Sequence, residues 1–276
     1  MRHTAEIAYS REDFKELQKL AIDHVGIVLN EHKFSMVYNR LVKRLRELQL
    51  ASFEEYILLL RTKPENEIIS FINCITTNVT YYFRENHHFT FLQHVELPRI
   101  LYANNFDGNV RIWSAGCSTG EEPYSIAIAA KEILPHNVNL TIIATDIDSD
   151  VLNFATKAVY PESSTEKISV ERLKYGFLKG IAANATLIKV KPAIRKCVNF
   201  VRHNLLEDNY RLGKFNIIFC RNVLIYFNHE KKKEIVERFA ECLTPGGVLI
   251  LGHAESLYGI SERFQLISAT IYRKAA

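Results

Sequence analysis

The sequence predicts an α/β fold in which a small all-α domain precedes a Rossmann-like parallel sheet that closes on an antiparallel strand pair. Three observations carry this. Up to about Tyr102 apolar residues recur at helical spacing and glycine is almost absent. Beyond it, strand-like and helix-like runs alternate, as in a parallel sheet covered on both faces. Finally, Phe264–Ser268 and Thr270–Arg273 almost touch in sequence, a connection so short that their pairing can only be antiparallel.

In the first helix Phe14, Leu17, Ala21 and Val25 share a face, and Ser10 with Asp13 has the spacing of a capping box. The second carries Val37, Leu41, Leu45 and Leu48. Ser52 and Glu55 form another box ahead of Phe53, Tyr56, Ile57 and Leu60. Pro64 suits the first turn of a fourth helix bearing Ile68, Ile69, Ile72 and Ile75. These four make a domain over 1–76; 77–88 is a linker, and 89–276 is the second domain, opening on a helix from about Phe89 to Leu101. There, Val110–Ala115 is a strand, followed by a small-residue turn and a helix from Pro123 to Leu134. Leu140–Thr145 is a strand ending on Asp146, with a helix from Ser149. Between about 176 and 200 the short runs Leu187–Val190 and Val198–Val201 predict a small antiparallel β insertion leading back to the main sheet. Phe215–Cys220 is a strand, Glu230–Cys242 a helix, and Pro245-Gly246-Gly247 turns into the strand Val248–Leu251.

Composition removes several classes. The start, Met1 to Phe14, is charge-rich and lacks a signal-peptide apolar core, and no apolar run approaches the roughly 20 residues that span a bilayer. The expectation is a cytoplasmic protein with no direct membrane insertion. Cys74, Cys117, Cys197, Cys220 and Cys242 are odd in number and scattered, against a disulfide framework or a zinc site. The ten histidines include His87-His88, but no set with a plausible ligand spacing and carboxylate partner, so no metal is expected. A net charge of +4 is too mild to predict nucleic-acid binding.

The chemistry gathers at strand ends. The turn Ser114-Ala115-Gly116-Cys117-Ser118-Thr119-Gly120-Glu121-Glu122 lies where a dinucleotide fold holds its ligand, though a tight strand-to-helix turn reads the same way. Asp146 can accept both hydroxyls of a ribose; it can equally precede a helix as a cap. Glu121 and Glu122 at the helix N-terminus would repel a pyrophosphate but suit a ligand bearing an ammonium and a sulfonium, such as S-adenosylmethionine; alternatively they complement the helix dipole. With the terminal antiparallel pair, a methyltransferase is favoured over a dehydrogenase.

The runs Asn78-Val79-Thr80-Tyr81-Tyr82-Phe83-Arg84, Trp113 to Ser125, Ala144-Thr145-Asp146-Ile147-Asp148, His203-Asn204-Leu205-Leu206 and Cys220-Arg221-Asn222-Val223-Leu224-Ile225-Tyr226-Phe227 resemble the chemotaxis receptor methyltransferase family, CheR, in the family's order. The resemblance covers nearly the whole chain. It implies transfer of a methyl group from S-adenosylmethionine to glutamate carboxylates on the cytoplasmic helices of methyl-accepting chemoreceptors, leaving S-adenosylhomocysteine. It places Glu121 at the methionine end of the cofactor, Asp146 at the ribose, Asn204 and Leu205 beside the adenine, and Arg221 and Asn222 around the sulfur. Asn78, Thr80 and Arg84 join from the linker, with Arg84 and Tyr226 nearest the transferred methyl. The basic run Arg40, Lys43, Arg44 and Arg46 sits in a stretch, up to Thr77, of 11 basic and 11 acidic residues. It is either a solvated helix face or a docking patch for acidic receptor helices. The loop Gly180 to Thr186 lacks the glycine-rich turn of members that capture a receptor tail by strand addition, which points to a tail-independent enzyme. Against a base-methylating enzyme, Cys220-Arg221-Asn222-Val223 stands where Asn/Asp-Pro-Pro-Tyr/Phe is usual. An adaptor that binds cofactor without transfer remains the other alternative.

Overall fold

A computed structural model describes residues 7–62, 65–76, 78–103 and 106–275; Pro64, expected to open the fourth helix, lies outside them. The chain forms two compact units: Met1–Thr77 with Tyr226–Asn228, and Asn78–Ile225 with His229–Ala276.

In the helical unit, Ser10 Oγ accepts the Asp13 N–H and the Asp13 carboxylate accepts the Ser10 N–H, starting α1 (Arg11–Val25) with a complete capping box. Gly26, at φ 64°, ends it. α1 buries the face its spacing predicts, Phe14, Leu17, Ala21 and Val25. α2 (Phe34–Glu47) buries Val37, Leu41 and Leu45, with Val42 rather than Leu48 completing the stripe. At α3 (Phe53–Arg61) Ser52 accepts the Glu55 N–H, but the Glu55 carboxylate reaches back to Ala51, one residue beyond a capping box. α4 (Glu65–Ile75) is turned from the expected face. Phe71, Ile72 and Ile75 are buried, while Ile68 and Ile69 are only half-buried. The cause is Glu67, buried on the inward side, where Arg44 Nε and Nη2 donate to its two oxygens at 3.1 and 2.6 Å and Tyr56 Oη donates at 2.8 Å. Arg40 Nη1 donates to the carbonyls of Cys74 and Thr76. Arg40 and Arg44 are therefore ties from α2 to α4 and beyond, which corrects their reading as half of an open basic patch; Lys43 and Arg46 are exposed. Within this unit the Tyr226 carbonyl accepts the Val28 N–H, and Lys33 Nζ stands 4.4 Å from the Tyr226 ring centre.

The second unit opens on α5 (His87–Phe91), which passes through a π-helical turn, Leu92–Glu96, into α6 (Leu97–Leu101). One continuous helix was expected; Pro98 has no N–H to donate, and the ladder widens just ahead of it. The main sheet comprises β1 (Asn109–Ala115), β2 (Asn139–Asp146), β6 (Val198–Arg202), β7 (Phe215–Cys220), β8 (Leu243–Leu251), β9 (Phe264–Ser268) and β10 (Ile271–Lys274), in the order β6-β2-β1-β7-β8-β10-β9. β6, β2, β1, β7 and β8 are parallel, and β10 runs antiparallel to both neighbours. Successive side chains serve opposite faces. Ile112 joins the core with α7 (Glu121–Ile133), and Trp113 meets Phe239 of α11 (His229–Cys242) edge-on, ring centres 5.2 Å apart.

The insertion differs in membership. β3 (Val159–Pro161), β5 (Leu187–Val190) and β4 (Phe177–Lys179) form a separate antiparallel sheet in that order, so one strand comes from well before 176. α8 (Ser149–Lys157) precedes β3 and α9 (Val170–Gly176) leads into β4. Val198–Val201, grouped with the insertion by sequence, instead pairs parallel to β2, because α10 (Pro192–Arg195) turns the chain first.

Candidate functional site

From the central β1 the chain steps outward through β2 to β6, then returns to β7 on the other side. The carboxyl ends of β1 and β7 thus flank a topological switch point, where open parallel sheets hold ligands. The turn after β1 is built for close approach. Gly116 (φ 79°) and Cys117 both donate to the Thr145 carbonyl, at 2.8 and 2.9 Å. A Cβ on Gly116 would lie 2.3 Å from Val223 Cγ2, so no side chain fits between this turn and the loop after β7. Gly120 (φ 96°) caps α7; a Cβ there would stand 2.8 Å from both Ala155 Cβ and Tyr160 Oη.

Asp146 receives two backbone donors, Ser118 N–H at 2.8 Å on Oδ2 and Asp148 N–H at 3.0 Å on Oδ1. Burial pushes its carboxyl up to about 6 despite these bonds. Asp148, not Asp146, is the helix cap, accepting the N–H groups of Asp150 and Val151. The Asn78 side-chain amide donates to Asp148 at 2.8 Å, and the Asn78 carbonyl accepts the Ser118 hydroxyl at 3.2 Å. Asn78, the glycine turn and the end of β2 are therefore one bonded set.

The two acids opening α7 divide. Glu122 accepts from Ser114 Oγ at 2.7 Å and from Arg221 Nη1 at 3.0 Å. Glu121 accepts from Thr119 Oγ1 at 2.6 Å. Burial raises the pKa of both, and for Glu122 the Arg221 cation opposes the rise. Arg221 also donates to the Arg84 carbonyl and lies 3.5 Å from Glu85. Half-buried Arg84 sends Nη1 to the Val79 carbonyl at 3.0 Å. Thr80 is half-buried in the same segment.

At the end of β6, His203 N–H donates to the Asp146 carbonyl at 3.0 Å, which brings Asn204 and buried Leu205 up to that strand end through the backbone. The Asn204 side-chain carbonyl is engaged locally, accepting the Leu206 N–H. Asn222 has left-handed backbone, φ 61°. Tyr226 falls in the helical unit rather than in this bonded set. Ser118, Asp148 and Glu85 were not singled out as site residues, and Glu122, read together with Glu121 as an acid facing the ligand, is instead held by Ser114 and Arg221. Only Asp148 leaves a local trace, since Asp-Ser ahead of a helix signals a cap.

The carboxylate partner that sequence spacing did not offer His87-His88 is Glu85: ligand atoms of the three lie within 4.8 Å of one another. Glu85 is already served by cations and donors. His253 Nδ1 is 2.9 Å from it, and burial, which would raise its carboxyl, is outweighed by His253 and Arg221, leaving it at about 2. The group belongs to the ion-pair network around Arg221.

Comparison with known proteins decides the family. The CheR methyltransferase all-alpha domain matches residues 12–76, and the CheR methyltransferase SAM binding domain matches residues 78–273. The chain belongs to the CheR methyltransferase family. It is 38% identical over 275 residues to the chemotaxis protein methyltransferase of Escherichia coli, covering 99% of this chain and 94% of that one. It is 39% identical over 272 residues to chemotaxis protein methyltransferase 2 of Pseudomonas aeruginosa (98% and 95%), and 36% over 275 to the chemotaxis protein methyltransferase of Borreliella burgdorferi (97% and 96%). The chain is accordingly an S-adenosylmethionine-dependent methyltransferase of chemotaxis. Its acids suit that cofactor's chemistry, with a partly desolvated carboxylate at Asp146 and a second acid at Glu121.

Proposed function

We propose that the chain methylates glutamate side chains on the cytoplasmic helices of chemoreceptors, forming glutamyl methyl esters. S-Adenosylmethionine supplies a methyl on a positively charged sulfur, with a neutral thioether as leaving group. The acceptor, a carboxylate with an ordinary pKa of about 4.3, is ionised at neutral pH and needs no general base. The observation that best supports this reading is the charge arrangement: the acids of the turn are held by donors, and Arg221 is bound between Glu122 and Glu85. In this reading Asp146 accepts from the ribose hydroxyls and Glu121 from the methionine ammonium. Asn204 and Leu205 border the adenine, Arg221 and Asn222 lie near the sulfur, and Asn78 and Thr80 close the linker side. Arg84 orients the incoming carboxylate through a bidentate pair, with Tyr226 shaping the approach. Rate comes from alignment and exclusion of water, which together lower a barrier by about 7–11 kcal/mol in favourable cases.

The test is transfer of labelled methyl to a purified receptor cytoplasmic fragment, followed by mild alkali. Release of the label as methanol is the expected result; label stable to base would reject an ester. Arg84→Ala should lose most turnover while circular dichroism shows the fold intact, and unchanged turnover removes Arg84 from the mechanism.

For receptor docking, exposed Lys43 and Arg46 are the side chains open to an acidic helix. Reversing both charges should slow methylation and flatten its salt dependence; an unaltered salt profile would place docking elsewhere.

A further inference from the structure

The strand ends around the site are joined by a side chain with no place in the cofactor assignment. Glu255, in the turn after β8, is buried. Its Oε2 accepts the N–H groups of Asn222 at 2.8 Å and Gly252 at 2.7 Å, and its Oε1 those of Val223 at 2.9 Å and Ile225 at 3.3 Å. An ionised carboxylate has about four acceptor positions, so these four amides use its capacity. The loop so gathered departs from extended and right-handed backbone at one residue. Asn222 has φ 61°, a costly conformation for a residue with a Cβ, and Gly252 approaches it so closely that a Cβ there would lie 2.5 Å from Asn222 Nδ2. The next residue, Val223, fills the space left by the missing Cβ of Gly116. The chain of contact therefore runs from Glu255 to the loop after β7 and on to the turn after β1.

We propose that Glu255 is a positioning residue for methyl transfer: its carboxylate sets the loop that carries Arg221, Asn222 and Val223 against the glycine turn. It acts on the cofactor through those residues and not by touching it. The inference rests on the assignment of Arg221 and Asn222 to the cofactor.

Glu255→Gln keeps the size of the side chain but retains one acceptor oxygen, and it turns an NH2 group toward two of the four amides. The full-length variant should show a KM for S-adenosylmethionine raised about ten- to a hundredfold, with the KM for the receptor fragment unchanged, since one or two lost hydrogen bonds to a charged ligand weaken binding by about that much. Ile217→Val, in the β7 core, serves as a stability control. It should lower the melting temperature and leave the cofactor KM alone. Should the Gln variant not fold, Gly252→Ala displaces Asn222 from the other side and should raise the same KM. An unchanged cofactor KM in Glu255→Gln or, failing that, Gly252→Ala overturns the proposal, as does an equal rise in Ile217→Val. Asn222→Ala separates the two levels. If it raises the KM while the Glu255 and Gly252 variants do not, the positioning role alone fails; if it leaves the KM unchanged, the placement of this loop at the cofactor fails as well.

Discussion

Asp146 shows what holding a half-buried acid costs. Its folded-state pKa, about 6, lies above the ordinary 3.8, so the fold favours the protonated form. The stability this contributes is complete below about 3.8 and is lost as pH rises through about 6. At neutral pH the ionised carboxylate is thus a burden, held in place by Ser118 and Asp148, and two ribose hydroxyls would relieve it. Cofactor affinity should be level above pH 7 and weaken about tenfold per pH unit below about 6. Calorimetric titration from pH 5 to 8 reads this directly, and a flat profile would remove Asp146 from the ribose. Glu85 has the opposite sign. Held at about 2, it contributes stability that is present above its ordinary 4.5 and lost as pH falls toward 2. Asp146 was legible because an apolar strand ending on an acid is a local pattern. Glu85 and Glu255 were not, since Arg221 and His253 lie more than a hundred residues from Glu85, and the partners of Glu255 are backbone amides that no residue type betrays.

Among the elements, α2 and α4 show where periodicity succeeds and where it misleads. The stripes of α1 and α3 hold because each inward residue is apolar or, at Tyr56, an aromatic ring whose hydroxyl donates to Glu67. In α4 a run of isoleucines marks one face, yet the buried side carries Glu67, a placement tolerable only with Arg44 and Tyr56 in reach. Removing that partner should be severe. Arg44→Ala should lower the stability of the helical unit by on the order of 3 kcal/mol, whereas Lys43→Ala should change it by under about 0.5, both read by urea denaturation. Equal effects would mean that Arg44 contributes no more than a surface charge. In the second unit, Gly116→Ala should destabilise and abolish cofactor binding together, because the new methyl group and Val223 claim the same space. Retained binding would show that the turn can shift.

At the scale of the molecule, two units of different construction make two thermal transitions the expectation. Cofactor at a hundred times its Kd adds about 2.7 kcal/mol to whatever binds it. Scanning calorimetry should therefore show one transition rising by roughly 5–10 °C and the other fixed. A single transition moving as one would mean the units unfold together. No described helix is long and apolar enough to cross a membrane. The parallel strands and the terminal antiparallel pair were legible from alternation and loop length, but their order was not, because nothing local distinguishes an edge strand such as β6 from a strand of the small sheet. The place of β10 has a kinetic consequence. In the sheet order β9 neighbours β10 alone. Until β10 has paired with β8, β9 has no place in the sheet, and a molecule caught at that stage leaves Leu266 and Ile267 on an unpaired strand open to any exposed edge nearby.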